Sequence, residues 1–266
     1  MISRRKYNYL KQLSESALTD ADREQIEEFE KANGSSDKSE FLKAYSAKVF
    51  KEEPTPENFK PSYEILLKKF KAKYKELEGV EFNEDMIPNI EPVLYYFAKD
   101  ERFFDCNNLS DKSTPSFRKG LLIVGSYGNG KTSTMRTLKQ LFSYTPLSFK
   151  SFVANRVVSE FEGHSIASER SKCLNRTKTG VAYFDDVKTE KIASNYGKHN
   201  LFKDIIEERY INKAKTFITC NYRQGDSTNS LDEALNEFNF IYGGRVYDRL
   251  FAMFNIIEFN GKSQRK

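Results

Sequence analysis

The sequence predicts an α/β fold: a mainly parallel, doubly wound sheet of five strands flanked by helices and preceded by a helical N-terminal region. Three observations predict it. From about residue 119 onward, short apolar runs alternate with helical patterns. A glycine-rich turn stands directly between the first apolar run and a helix. The first half of the chain is instead polar and shows a 3.6-residue apolar period.

The elements follow in order. Thr19 or Asp20 is placed to cap ADREQIEEFEKA, where Ile26 and Phe29 share a face, and Asn33-Gly34 stops that helix. SDKSEFLKAYSAKVF reads as a second helix, with Phe41, Leu42, Tyr45 and Val49 at helical spacing, and KEEPTPENFKPS, with three prolines, as a linker. From Tyr63 the apolar positions 63, 66, 67, 70, 74 and 77 fit a helix whose remaining surface carries Lys68, Lys69, Lys71, Lys73 and Lys75. That lysine face is either a solvated surface or a docking face for nucleic acid or a partner. Next, GLLIVG reads as a strand, KTSTMRTLKQLF as a helix, LSFKSFVA as a strand, NRVVSEFE as a helix and GVAYFDDV as a strand. NLFKDIIEERYINKA, LDEALNEF and GGRVYDRLFAM read as helices, and KTFITCN and NIIEF as strands. The intervening HSIASERSKCLNRTKTG is a polar loop or exposed helix. Residues 1–110 are expected to form a helical partner-binding region and 111–266 the α/β domain.

Composition excludes several classes. The 266 residues include 43 basic and 38 acidic ones, a net charge of +5 that permits nucleic-acid binding without requiring it. Cys106, Cys173 and Cys220 lie far apart and only His164 and His199 accompany them, so neither a disulfide framework nor a Cys/His zinc site assembles from local spacing. Any metal is then an oxygen-bound hard ion. No apolar run reaches the roughly eighteen residues of a membrane span, and MISRRKYNYLKQL lacks a signal core, so a cytoplasmic protein with no membrane partner is expected.

Gly125, Ser126, Tyr127, Gly128, Asn129, Gly130, Lys131 and Thr132, followed by Ser133, match G-x-x-x-x-G-K-[ST] between a strand and a helix. The glycines let the loop curl with its N–H groups inward, and the helix N-terminus adds its positive end, which together cradle phosphate. Lys131 would reach the β and γ phosphates of ATP and Thr132 would join an Mg²⁺ shell. Asp185 and Asp186 end an apolar strand: Asp185 would hold Mg²⁺ through its water shell and Asp186 would orient or deprotonate the attacking water, although the two roles are exchangeable. Asn221 ends the next strand, where its amide would bind that water or the γ-phosphate, unless it only forms a turn. Arg245 and Arg249 stand four apart on one helix face. They either pair locally, with Asp248 or Glu237, or reach a neighbouring subunit's γ-phosphate.

Taken together, GSYGNGKT, FDDVKTE, TFITCN, GGRVYDRL and IIEFNGKSQRK resemble the ordered motifs of the AAA+ ATPases of the DnaC/DnaI/IstB family, which includes helicase loaders and transposition helpers. The resemblance runs from about residue 115 to the C-terminus. It implies an AAA+ P-loop fold, Asn221 as sensor 1, Arg245 or Arg249 as the arginine finger, and Arg265 as sensor 2. Only seven residues follow Phe259, so no C-terminal lid domain is expected, as in DnaC-like proteins. Lys188 departs from the family pattern D-D-[LI]-G-x-E by replacing its glycine. The N-terminal region has no Cys cluster of the kind that docks DnaI loaders to their helicase.

The resemblance also implies a self-assembling oligomer on single-stranded DNA with a replicative helicase as partner. The alternatives are a transposition helper acting with a transposase on duplex DNA, and an ATP-gated binding module with little turnover. The candidate DNA-contacting stretch is His164 to Lys178, where Arg170, Lys172, Arg176 and Lys178 face a single Glu169. Its alternative is an ordinary solvated loop.

Overall fold

A computed structural model describes residues 19–33, 59–190, 200–223, 230–261 and 263–264. The predicted helix over SDKSEFLKAYSAKVF, most of the KEEPTPENFKPS linker, and Arg265 lie outside the described residues. The chain divides into two compact units, Met1–Pro54 and Thr55–Lys266. This division falls well upstream of the 110/111 boundary read from the sequence.

In the first unit, helix α1 (Asp20–Asn33) begins at a reciprocal cap. The Asp22 amide donates to Thr19 Oγ1, and the Thr19 amide donates to Asp22 Oδ2, each at 3.2 Å.

The second unit contains the remaining elements. Helix α2 (Tyr63–Glu78) starts at the Ser62 hydroxyl and ends at Gly79, whose φ of 71° supplies the left-handed cap. Helix α3 (Ile87–Ala98) follows, then strand β1 (Gly120–Gly125), helix α4 (Lys131–Leu141), strand β2 (Lys150–Val153) and helix α5 (Ala154–Gly163). Helix α6 (Ala167–Lys178), strand β3 (Ala182–Val187), helix α7 (Leu201–Ile211) and strand β4 (Thr216–Asn221) come next. Helices α8 (Leu231–Tyr242) and α9 (Gly244–Met253) lead into strand β5 (Phe254–Phe259). No helix among the described residues is long and apolar enough to cross a membrane.

The five strands form one parallel sheet in the order β2-β3-β4-β1-β5, the α/β P-loop architecture expected from the motifs. One face buries Leu122, Phe184, Ile218 and Ile256 against Phe202, Ile205, Phe238 and Val246 from α7, α8 and α9. On the other, Phe217 packs against Phe97 of α3 and against Phe149, with ring centroids 5.3 and 5.4 Å apart. Alternate residues of one strand thus serve opposite layers, and buried-on-both-sides strands read as continuous apolar runs.

Helix α3 carries Pro92 in its interior, and proline there removes the hydrogen bond to the residue four earlier. The orphaned Pro88 carbonyl is met instead by Asn108 Nδ2 at 3.1 Å. Asn89 of the same helix pairs both ways with the Asn260 backbone, at 2.8 and 2.9 Å, and so docks α3 on the end of β5.

Candidate functional site

The register sets the site. Gly125 pairs with Asn221 on one side and Phe259 on the other, so the phosphate loop leaves β1 level with the ends of β4 and β5. A Cβ on Gly125 would lie 2.5 Å from the Phe259 carbonyl oxygen, so only glycine permits this approach. Gly128 and Gly130 have φ of 78° and 92°, which turn the loop back onto the N-terminus of α4. Gln264 crosses over it, its amide donating to the Gly128 carbonyl at 2.8 Å.

Strand β3 carries a bulge against β4: Phe184 pairs with Ile218 and Val187 with Cys220, leaving one extra residue between them. Asp185 and Asp186 occupy that bulge, and Asp186 takes a φ of 57°. A bulge re-aims side chains that regular alternation would send to opposite faces. Both carboxylates accordingly reach the phosphate-loop side.

Asp185 Oδ1 accepts three hydroxyls: Thr132 at 2.9 Å, Thr219 at 2.6 Å and Tyr183 at 2.5 Å. Burial, with the adjacent Asp185 charge second, pushes the Tyr183 phenol well above its ordinary range, so it stays a donor. Thr132 and Asp185 are therefore already side by side, and a hydroxyl beside a carboxylate suits a magnesium ion. Among the described residues no group of three or more His, Cys, Asp or Glu side chains is placed to hold a metal ion by itself.

The Lys131 ammonium, nearly buried, donates to the carbonyls of Gly125 and Ser126 at 2.8 Å each, to Asn129 Oδ1 at 3.2 Å and to Asn221 Oδ1 at 3.0 Å. The Asn221 amide nitrogen in turn donates to Asp186 Oδ1 at 3.0 Å. Five sequence-predicted residues, Lys131, Thr132, Asp185, Asp186 and Asn221, thus converge on one pocket of about 690 Å³.

The sequence reading missed Tyr183 and Thr219. Each lies two residues before a predicted site residue, Asp185 and Asn221, and hence on the same side of its strand while alternation lasts. It also missed the pocket's far wall, which comes from the end of α2: Tyr74, Glu78 and Val80 line it, with Arg136 of α4 bonded to Glu78. The lysines of α2 are largely matched locally, Lys71 with Glu84 at 2.7 Å, Lys73 with Glu76 at 2.5 Å and Lys75 with Glu81.

The two arginines differ. Arg245 is exposed and makes no ion pair among the described residues, and Glu237 bonds Lys188 instead. Arg249 lies over the Tyr210 ring at 4.7 Å with Glu207 3.8 Å away, and among the described residues neither Arg249 Nη1 nor Glu207 Oε1 has a hydrogen bond. The His164 to Lys178 stretch forms mainly α6. Arg170 donates to the carbonyls of His164 and Ser165, and Arg176 bonds Glu160, whereas Lys172 is exposed and Lys178 half-buried.

No protein-family model matches the chain. No curated protein matches it in sequence. The fold is similar to the crystal structure of the DnaC helicase loader, at 20% identity and a TM-score of 0.45, over 71% of this chain and 99% of that one. It is similar to the crystal structure of DnaI, at 20% identity and a TM-score of 0.47, over 69% and 90%. AMPPCP-bound DnaA from Aquifex aeolicus is also similar, at 15% identity and a TM-score of 0.41, over 69% of this chain and 49% of that one.

Proposed function

We propose that this chain binds and hydrolyses ATP with Mg²⁺ as a DNA-replication accessory protein of the helicase-loader type, acting as an oligomer on single-stranded DNA. The observation that carries the nucleotide reading is the hydrogen-bonded run from Lys131 through Asn221 to Asp186, standing beside the Thr132–Asp185 pair. The loader assignment rests on the order of motifs along the sequence.

The phosphate loop and the N-terminus of α4 bind the phosphates through backbone N–H groups. Lys131 exchanges its carbonyl partners for β and γ oxygens. Thr132 and Asp185 would hold Mg²⁺ through its water shell, and the ion would supply charge neutralisation at the phosphates. Asp186 accepts a hydrogen bond from the attacking water, and the Asn221 amide, already bonded to Asp186, fixes its direction. Water adds to the γ-phosphorus as the bond to the β–γ bridging oxygen breaks, releasing ADP and phosphate. Arg245 or Arg249, offered by a neighbouring subunit, stabilises the charge that develops, a contribution of about 10³ or more where such fingers act. Exposed Lys172 and half-buried Lys178 on α6 are available to track a phosphate backbone.

The test is ATP hydrolysis by the protein alone, with single-stranded DNA and with duplex DNA, while oligomer size is followed. Lys131→Ala, Arg245→Ala and Arg249→Ala are measured alongside. Single-strand-stimulated turnover that Lys131→Ala and one arginine variant abolish supports the loader reading. Duplex stimulation moves the assignment to a transposition helper. Binding without turnover under any condition indicates a nucleotide-gated binding module.

A further inference from the structure

Lys188 is unusual in three respects. Its φ of 79° lies in the left-handed region that favours glycine. Its side chain is only 4% exposed, although it carries a charge. Its ammonium nonetheless finds three acceptors: the Asn221 carbonyl at 2.7 Å, Glu237 Oε2 at 2.6 Å and the Ala234 carbonyl at 3.3 Å. Three N–H bonds with three acceptors satisfy the group completely.

These acceptors join separate parts of the site. Asn221 carries the side chain that bridges Lys131 and Asp186, so the Lys188 contact fixes the backbone of that residue. Ala234 and Glu237 lie on α8. The Lys188 amide also donates to the Tyr242 hydroxyl at 3.1 Å, so main chain and side chain of one residue both tie the end of β3 to α8. Helix α8 passes through Gly243, with a φ of 86°, directly into α9, which bears Arg245 and Arg249.

We propose that buried Lys188 and half-buried Glu237 form a positioning pair, clamping the Asn221–Asp186 couple to α8 and hence to the arginine-bearing α9. For its effect on turnover the proposal rests on the hydrolytic reading above; for its effect on the strand ends it rests on geometry alone. Neither residue touches the reacting atoms. An ion pair with its cation buried is weak evidence for stability, since apolar replacements often do as well, and the better-attested use of such pairs is in specifying one arrangement.

The experiment compares wild type with Lys188→Gly, Glu237→Gln and Lys188→Arg. Three quantities are read: ATP turnover and KM, affinity for ATP, and amide hydrogen exchange in peptides covering residues 183–188 and 216–222. Glycine suits the left-handed backbone, so Lys188→Gly removes the clamp while easing the turn. Lys188→Gly and Glu237→Gln are expected to lower kcat by about tenfold or more with KM within about twofold, and to speed exchange in both peptides. Lys188→Arg keeps charge and donors and is expected to restore kcat to within about threefold of wild type. If Glu237→Gln fails to fold, the double variant Lys188→Met with Glu237→Leu removes both charges, and the same loss of kcat is expected. Unchanged exchange overturns the clamp, as does a parallel change in kcat and KM or the absence of rescue by arginine. If wild type binds ATP without turning it over, the hydrolytic reading fails and the exchange result alone decides the clamp.

Discussion

The Lys131 ammonium lies 3.0 Å from Asn221 Oδ1, across the pairing of β1 with β4. A phosphate-binding lysine and a strand-end asparagine are thus joined directly, and the asparagine passes the connection to Asp186 through its other atom. Lys131 keeps three oxygen acceptors when Asn221 is removed, whereas Asp186 loses its amide donor. Asn221→Ala is therefore expected to leave ATP affinity within about threefold while lowering turnover by about 10²-fold, the scale of losing one aligned polar group. Calorimetric binding and single-turnover hydrolysis check it.

Arg209 is fully buried and, among the described residues, has no carboxylate partner. Its guanidinium donates to Thr216 Oγ1 and to the carbonyls of Thr177, Gly180 and Lys215, stitching the end of α6 to the entries of β3 and β4. Burial lowers its pKa to about 10. Arg209→Met leaves three carbonyls without their donor and is expected to cost roughly 3 kcal/mol or more in urea unfolding. Lys131 and Asn221 lie at the opposite ends of these strands, so ATP affinity in the folded fraction is expected to remain.

Glu190 has the reverse character of a surface carboxylate. Burial, chiefly, holds its pKa above the ordinary value, with the Asp186 charge adding a little and the Tyr242 hydroxyl opposing. The native state then keeps the proton to higher pH than the unfolded chain. Between the two values the native state binds more protons, so stability falls as pH rises. Glu190→Gln is expected to raise the melting temperature at neutral pH, with the gain vanishing as pH drops to where both states are protonated. Thermal unfolding of both proteins across pH checks the sign.

Arg136 and Glu78 join α4 to the end of α2 at the rim of the pocket, and the Arg136 side chain is half exposed. A pair this exposed contributes about 0–1 kcal/mol to stability. Its position on the pocket wall gives it a different role. Arg136→Ala is expected to weaken ATP binding by about threefold or more with the melting temperature nearly unchanged. Equal affinity in the variant would mean that this wall does not meet the nucleotide.

Much of this was legible in the sequence because the signals were local. The five strands and the helices from residue 131 onward, except α6, whose segment reads equally as a polar loop, follow from apolar runs and their period, and the phosphate loop from its fixed spacing. Helix α3 was not legible. Pro88 suits a first helical turn, but Pro92 marks a break by rule, and the distant Asn108 compensates by meeting the orphaned Pro88 carbonyl. The β3 bulge was equally hidden, since the extra residue exists only relative to β4. Without it, strand alternation alone would separate Asp185 from Asp186. The part played by α2 as pocket wall depends on tertiary packing of Tyr74 and Glu78, which its lysine-rich surface gives no sign of.

The central claim is that Lys131, Thr132 and Asp185 make one magnesium–nucleotide site, and equilibrium binding of ATP tests it most directly. Titrations are run with and without Mg²⁺ on wild type, Lys131→Ala and Asp185→Asn. The expected result is saturable one-to-one binding that Mg²⁺ strengthens, that Lys131→Ala abolishes, and that loses its Mg²⁺ dependence in Asp185→Asn. Binding that is absent in wild type, or indifferent to both substitutions, would contradict it.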